Sequence, residues 1–186
     1  MPGTYTVKIK IGDRETSQTV NVKADYREKI SMKKRKEKYD ALVKAEQNIK
    51  ILGAGLMQIK KTNETLDFIM KHLKGSKDSK LQEIVKDAAA LKAKLGAFSK
   101  KIMGGADMMN SIGFQVLLPF MTLSTSFDAP TPSQKKFMAQ TQKILMKVTK
   151  EFQQLYAQDV AEFNKKFQKA NIDLFKPLDF SAILNK

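Results

Sequence analysis

Near residue 30 the spacing of apolar positions changes from every second residue to every third or fourth. Before that point Tyr5, Val7, Ile9 and Ile11 alternate with Thr4, Thr6, Lys8 and Lys10. A period of two sets one face of a strand against apolar matter and the other in water. Gly12-Asp13 supplies a two-residue turn. The return strand puts Gln18, Val20 and Val22 on one face and Thr19, Asn21 and Lys23 on the other. Residues 2–22 therefore predict a β-hairpin with an apolar stripe and no third strand. Two strands alone are marginal in water. The stripe calls for a cover, either from the helices that follow or from strands outside this sequence. Pro2-Gly3 before an alternating strand is a common opening of the last hairpin of an immunoglobulin-like sandwich, so the chain reads as starting inside a domain.

From Ser31 the pattern is helical. Met32, Tyr39, Leu42, Ile49, Leu56, Leu66, Met70 and Leu73 fall near a heptad repeat, with Glu46, Gly53 and Asn63 in the same register. One helix over 31–74 would be about 65 Å long. Gly53-Ala54-Gly55 inside it would let a neighbour approach closely, and Gly75 ends it. A second helix is predicted over 79–102, where Leu81, Ile84, Ala88, Leu91, Leu95, Phe98 and Ile102 form a continuous seam. Gly104-Gly105 breaks it. A shorter apolar helix over 112–126 carries Phe114, Leu117, Leu118 and Met121, with Pro119 placed to kink it.

Asp128 to Gln134 is a helix start. Thr131 is placed to cap, Pro132 suits the first helical position and Gln134 completes a capping box. The last helix carries Phe137, Thr141, Ile144, Val148, Phe152, Leu155, Phe163 and Phe167 and stops near Asn171. It would span about 55–60 Å, close to the first helix and to the second and third laid end to end. The expected fold is mainly α. It is a long antiparallel bundle of three arms in up-down-up order with the middle arm broken at the glycines, or a bundle of four helices, preceded by the hairpin. The domains follow as residues 1–26, the hairpin remnant of a sandwich, and 27–186, the bundle.

The 186 residues carry 34 Lys and Arg against 19 Asp and Glu, a formal charge of +15. Such an excess attracts nucleic acid, anionic lipid or acidic glycans where it is concentrated. Here lysine pairs at 60–61, 100–101, 135–136 and 165–166 are spread over every long helix, and no aromatic residues are interleaved to stack on bases. A solvated helical surface is the favoured reading, and nucleic acid an unfavoured one. Lys33, Lys34, Arg35 and Lys36 form the one compact basic run and are the candidate anion contacts. There is no cysteine, hence no disulfide or thiolate metal site. The longest apolar stretch, Ile112 to Leu123, is about half of what a spanning helix needs.

Candidate chemistry is sparse. The single histidine, His72, sits near the end of the first helix, where a cationic imidazole is favoured on the surface. No Glu-x-x-His pair, calcium loop, nucleophile elbow or phosphate-cradling glycine loop is present. No catalytic, cofactor or metal residue is assigned. Met103, Met108, Met109 and Met121 cluster around the broken arm and read as fillers of irregular core space, with an adaptable partner surface as the alternative. Long helices with an apolar insert and a hairpin also occur in pore-forming toxins, but this insert is short and contains Gln115.

Three segments resemble one family. Pro2-Gly3-Thr4-Tyr5-Thr6-Val7, continuing through Val20-Asn21-Val22-Lys23-Ala24-Asp25 to Arg27, is similar to the last sandwich strands of large secreted bacterial proteins and their "V-x-x-D-x-R" passage into a helix. Asp128-Ala129-Pro130-Thr131 resembles that family's "D-A-x-P-T" helix start. Asp159 to Asn164 and Asn171-Ile172 resemble its closing motifs, with Ala161 where the family often has Pro and Asn171 where it has Gly. The family comprises sortilin-type proteins with sialidase-like (BNR) propeller repeats, described as glycosyl hydrolases, and the likeness is to their C-terminal region.

The resemblance implies an upstream propeller carrying any substrate site, and export to the exterior or the cell envelope. It also implies a hairpin that folds here against the bundle or a neighbouring molecule. The function expected is a non-catalytic accessory domain packing against its own upstream domains or another protein. Tyr5, Val7, Ile9, Met108, Met109 and Phe114 are its candidate contacts, and self-association through the unpaired strands is expected. The alternative is a basic module that binds nucleic acid or anionic glycans.

Overall fold

The computed structural model describes residues 1–172. The last fourteen residues of the predicted 27–186 bundle lie outside the described residues. Strands β1 (Gly3–Ile11) and β2 (Arg14–Val22) pair antiparallel, with Ile11 opposite Arg14 across the two-residue turn. Gly12 takes a φ of +58° and Asp13 does not, the arrangement of a type II′ turn, whose twist matches the strands. Helices follow as α1 (Met32–Leu73), α2 (Ser79–Met103), α3 (Ile112–Leu123), α4 (Pro132–Leu155) and α5 (Ala161–Lys169). A π-helical segment, Tyr156–Val160, joins α4 to α5 without a break, so 132–169 is one helix and the described residues form four α-helices. The protein is mainly helical with an N-terminal hairpin, as the periodicities require.

Local chemistry sets the helix ends. Ser31 Oγ accepts from the Lys34 N–H at 3.3 Å, opening α1. Asp78 accepts from the Lys80 N–H at 2.8 Å, opening α2. The capping box of α4 is complete: Thr131 Oγ1 accepts from the Gln134 N–H at 3.2 Å, and Gln134 Oε1 accepts from the Thr131 N–H at 2.9 Å. Gln134 also donates from Nε2 to the Thr122 carbonyl at 2.8 Å, tying the start of α4 to the end of α3.

The chain forms two compact units. The first comprises Met1–Lys50 and Gln115–Lys143; the second comprises Ile51–Phe114 and residues 144–172. In the first unit Glu37 of α1 meets Lys135 of α4, while Gln115 and Thr122 of α3 meet Thr141 and Gln134 of α4 in reverse order. Thus α1 and α4 run together and α3 runs against both. Its core is Ala41, Ala45 and Leu123, with Leu42, Phe120 and Met138 packed on it.

In the second unit α2 packs against both α1 and the 144–169 helix. Its largest core cluster is Ile59, Leu66, Ala88, Leu91 and Leu95, and a second cluster, Ile69, Leu73 and Ile84, holds one end. Asp87, Lys94 and Lys101 of α2 pair with Lys166, Asp159 and Glu151 in turn, a ladder that runs antiparallel. These pairs are solvated and each contributes little to stability. They nonetheless distinguish this register from a slipped one. The Asp159 and Asp87 hydrogen bonds raise the pKa values of Lys94 and Lys166 respectively.

Two sequence expectations, the buried faces of α1 and α3, are corrected here, and the expected inward Phe163 and Phe167 find their cause. On α1 the buried positions are Lys38, Ala41, Ala45, Asn48, Ile59, Leu66, Ile69 and Leu73, whereas Tyr39 and Met32 are exposed and Glu46 faces water. The seam runs one position off the predicted heptad through the first half of the helix, because there it is made of small and polar side chains. On α3 the buried face is Val116, Pro119 and Leu123; Leu117 and Met121 are exposed. In the last helix the π segment adds one residue to a turn. Without it the core spacing would reach Asp159, Glu162 and Lys166; with it Val160, Phe163 and Phe167 face inward.

Lys38 is 6% exposed, and its Nζ donates to the Leu123 carbonyl at the C-terminal end of α3. A buried cation thereby answers an unpaired helix-end carbonyl. Burial lowers its pKa below the ordinary 10.5. Between that lowered value and 10.5 the unfolded chain binds more protons, so the contribution of Lys38 to stability rises with pH. Lys38→Met keeps the stem and removes the donor. It is expected to lower stability by about 1–3 kcal/mol near neutral pH and to abolish the rise toward alkaline pH, as read from denaturant melts of both proteins across that range.

Candidate interaction surface

The hairpin presents an uncovered apolar face. Directly opposed residues share a face, so β1 and β2 place Tyr5 beside Val20, Val7 beside Gln18 and Ile9 beside Thr16. Ile11 and Val22 extend the same face at its two ends. The reverse face is polar: Thr4 Oγ1 donates to Asn21 Oδ1 at 2.6 Å, and Lys8 pairs with Glu15 at 2.8 Å. Alternation therefore sorts side chains as the sequence predicts.

Every residue of both nine-residue strands is exposed. Ile11 is 77% exposed, and Tyr5, Val7, Ile9, Val20 and Val22 each keep more than two-fifths of their surface. Of the two covers expected for the hairpin, the bundle or a neighbouring molecule, the bundle does not supply one. Its apolar face meets no helix seam, because the helices of its unit close on Ala41, Ala45 and Leu123. Among the described residues the sheet has two strands, so each leaves one edge unpaired.

The three other predicted contacts lie in the second unit. Met108 and Met109 occupy a 3-10 turn, Met108–Asn110, and are 62% and 63% exposed. Phe114 is half-buried at the start of α3, where its N–H donates to Ser111 Oγ at 3.0 Å. Met103 and Met121 are also exposed. The expectation that these methionines fill the core is thus overturned. Ile102 completes the buried seam of α2, so Met103 one residue on points outward, and the 3-10 turn lifts its methionines into solvent.

The basic run is largely engaged within its own unit. Lys34 pairs with Asp128 at 3.1 Å and Lys36 with Asp40 at 2.7 Å. Arg35 donates to the carbonyls of Ile30 and Glu28, both at 3.3 Å, fastening the linker to the start of α1. Lys33 is exposed. Four consecutive helical residues fan around the axis at about 100° each, so they do not form one cationic face.

His72 is exposed near the C-terminal end of α1, its ring 4.6 Å from that of Phe68. Among the described residues, no group of three or more His, Cys, Asp or Glu side chains is placed to hold a metal ion. No helix among them is long and apolar enough to cross a membrane. No protein-family model, curated protein or solved structure matches the chain.

The contacts singled out from sequence understate the hairpin surface. Ile11, Val20 and Val22 belong to it equally, and the alternation that marked Tyr5 marks them too. The structure does not bring the hairpin contacts together with Met108, Met109 and Phe114 in one unit.

Proposed function

We propose that this chain is a non-catalytic interaction module. Its helices are the scaffold, and the apolar hairpin face of Tyr5, Val7, Ile9, Ile11, Val20 and Val22 is the contact. The observation that carries this reading is that every residue of both strands is exposed while the helices of their own unit close on a separate core. A two-stranded sheet gains stability when further strands join its edge or an apolar surface covers its face. The favoured partner is therefore β-rich or a second copy of this chain. The resemblance to the C-terminal region of propeller proteins supports a β-rich domain of the same polypeptide as that partner, and an exported or envelope setting goes with it.

The test is light scattering coupled to size exclusion over a range of concentrations. The full chain is expected to run above its monomer mass of 21.0 kDa. Deleting residues 1–24, or introducing Val7→Lys with Ile9→Lys, is expected to restore the monomer. A full chain that stays monomeric at every concentration, with hairpin amides exchanging as fast as those of an unstructured peptide, would overturn the reading.

A further inference from the structure

Within the second unit α1 and the 144–169 helix run in the same direction: Gly55 lies against the Phe152 ring, and Thr62 Oγ1 is 2.9 Å from Tyr156 Oη. On one side of this pair α2 closes the core through Leu91 and Leu95. On the other side the two helices leave an apolar furrow. One stretch of about 520 Å³ lies between Gln58, Leu66 and Ile69 of α1 and Val160, Phe163 and Phe167. A second of about 390 Å³ continues from Gln58 toward Ile51, against Val148 and Phe152. From Ile69 to Ile51 the furrow is about 27 Å long at the helical rise. Small residues open it: Ala54, Gly55 and Ala161 line it where larger side chains would close it.

The described chain ends at one mouth of this furrow. After α5, Asn171 adopts φ +48°, the left-handed turn that ends a helix and redirects the chain. Ile172 then packs on the Ile69, Leu73 and Ile84 cluster, against which Phe163 and Phe167 also pack. Three of those residues, Ile69, Phe163 and Phe167, line the furrow itself. The remaining residues, 173–186, include Leu174, Phe175, Leu178, Phe180, Ile183 and Leu184. Fourteen residues reach about 21 Å as a helix and up to about 46 Å extended, a range that brackets the furrow.

We propose that residues 173–186 are the occupant of this furrow, entering beside Ile69 and running toward Gln58. Their apolar side chains are matched in kind by its lining, and the chain is delivered to its mouth. The furrow is then an intramolecular docking site, independent of the hairpin reading.

The absence of native cysteine makes a thiol probe specific. Gln58→Cys, exposed at the midpoint of the furrow, is introduced into the full chain and labelled with a maleimide. Labelling is expected to be at least about tenfold slower than for Lys71→Cys, an exposed helical position outside the furrow. Adding Phe175→Asp and Leu178→Asp is expected to restore fast labelling of the Gln58→Cys chain and to leave the Lys71→Cys rate unchanged. Equal rates with and without the tail substitutions would overturn the proposal. So would protection that disappears on dilution, which would assign the furrow to a second copy. Circular dichroism of each variant verifies that the helices persist.

Discussion

Leu95→Ala is expected to lower the stability of the second unit by about 3–4 kcal/mol. Leu95 is fully buried at the centre of the cluster formed with Ile59, Leu66, Ala88 and Leu91. Truncation removes three carbons' worth of burial and leaves a cavity that helices held by neighbouring large side chains cannot collapse to fill. The companion is Tyr39→Ala on α1. A heptad drawn from sequence puts Tyr39 in the seam, but the residue is 52% exposed, so its loss is expected to cost below about 1 kcal/mol. Urea melts of both variants read the contrast. Equal losses would show that the seam of α1 follows Tyr39 and Leu42 rather than Lys38, Ala41 and Ala45.

The second large effect lies in the turn between α2 and α3. Gly104 caps α2 with φ +83°, its N–H donating to the Lys100 carbonyl at 2.8 Å. A β-carbon there would stand 2.5 Å from Ser111 Cβ and 2.6 Å from the Asp107 carbonyl oxygen. The second of these is backbone and cannot swing aside. Ser111 is itself buried and caps the start of α3. Gly104→Ala therefore combines left-handed strain with a steric conflict and is expected to cost about 3 kcal/mol or more.

Gly105 is the control. It also has a positive φ, +51°, but an added β-carbon would meet only the flexible Lys100 side chain, at 3.4 Å. Gly105→Ala is expected to cost about 1 kcal/mol. Denaturant melts of the pair separate the two causes, and indistinguishable midpoints would remove the steric part of the account.

Several features were legible because they depend on neighbours in sequence. The hairpin face follows from alternation and a glycine at the turn. The α2 seam from Ile84 to Ile102 is apolar at every three- or four-residue step, so only one face can be buried. Thr131 and Gln134 satisfy each other's backbone across one helical turn, and no distant residue is needed.

Other features depend on what lies across the interface. A lysine at 38 reads as solvated, yet the open carbonyl of Leu123 gives its ammonium a partner inside the first unit. The π segment is invisible to a fixed period of 3.6. Its only trace is that charged residues at 159, 162 and 166 occupy the positions where the seam should continue. Methionines near a break look like core filler until the seam is seen to end at Ile102, beyond which nothing is left for them to fill.

The order of secondary structure, the identity of the apolar hairpin face and the helix caps were determined by the sequence alone, since each rests on contacts within a few residues. Tertiary structure alone decided which face of α1 is inward, where the last helix takes its extra residue, and that the hairpin stands uncovered. Burial of small and polar side chains is favourable only when a partner surface of matching shape and hydrogen-bonding capacity is already opposite them. No pattern within one helix carries that information.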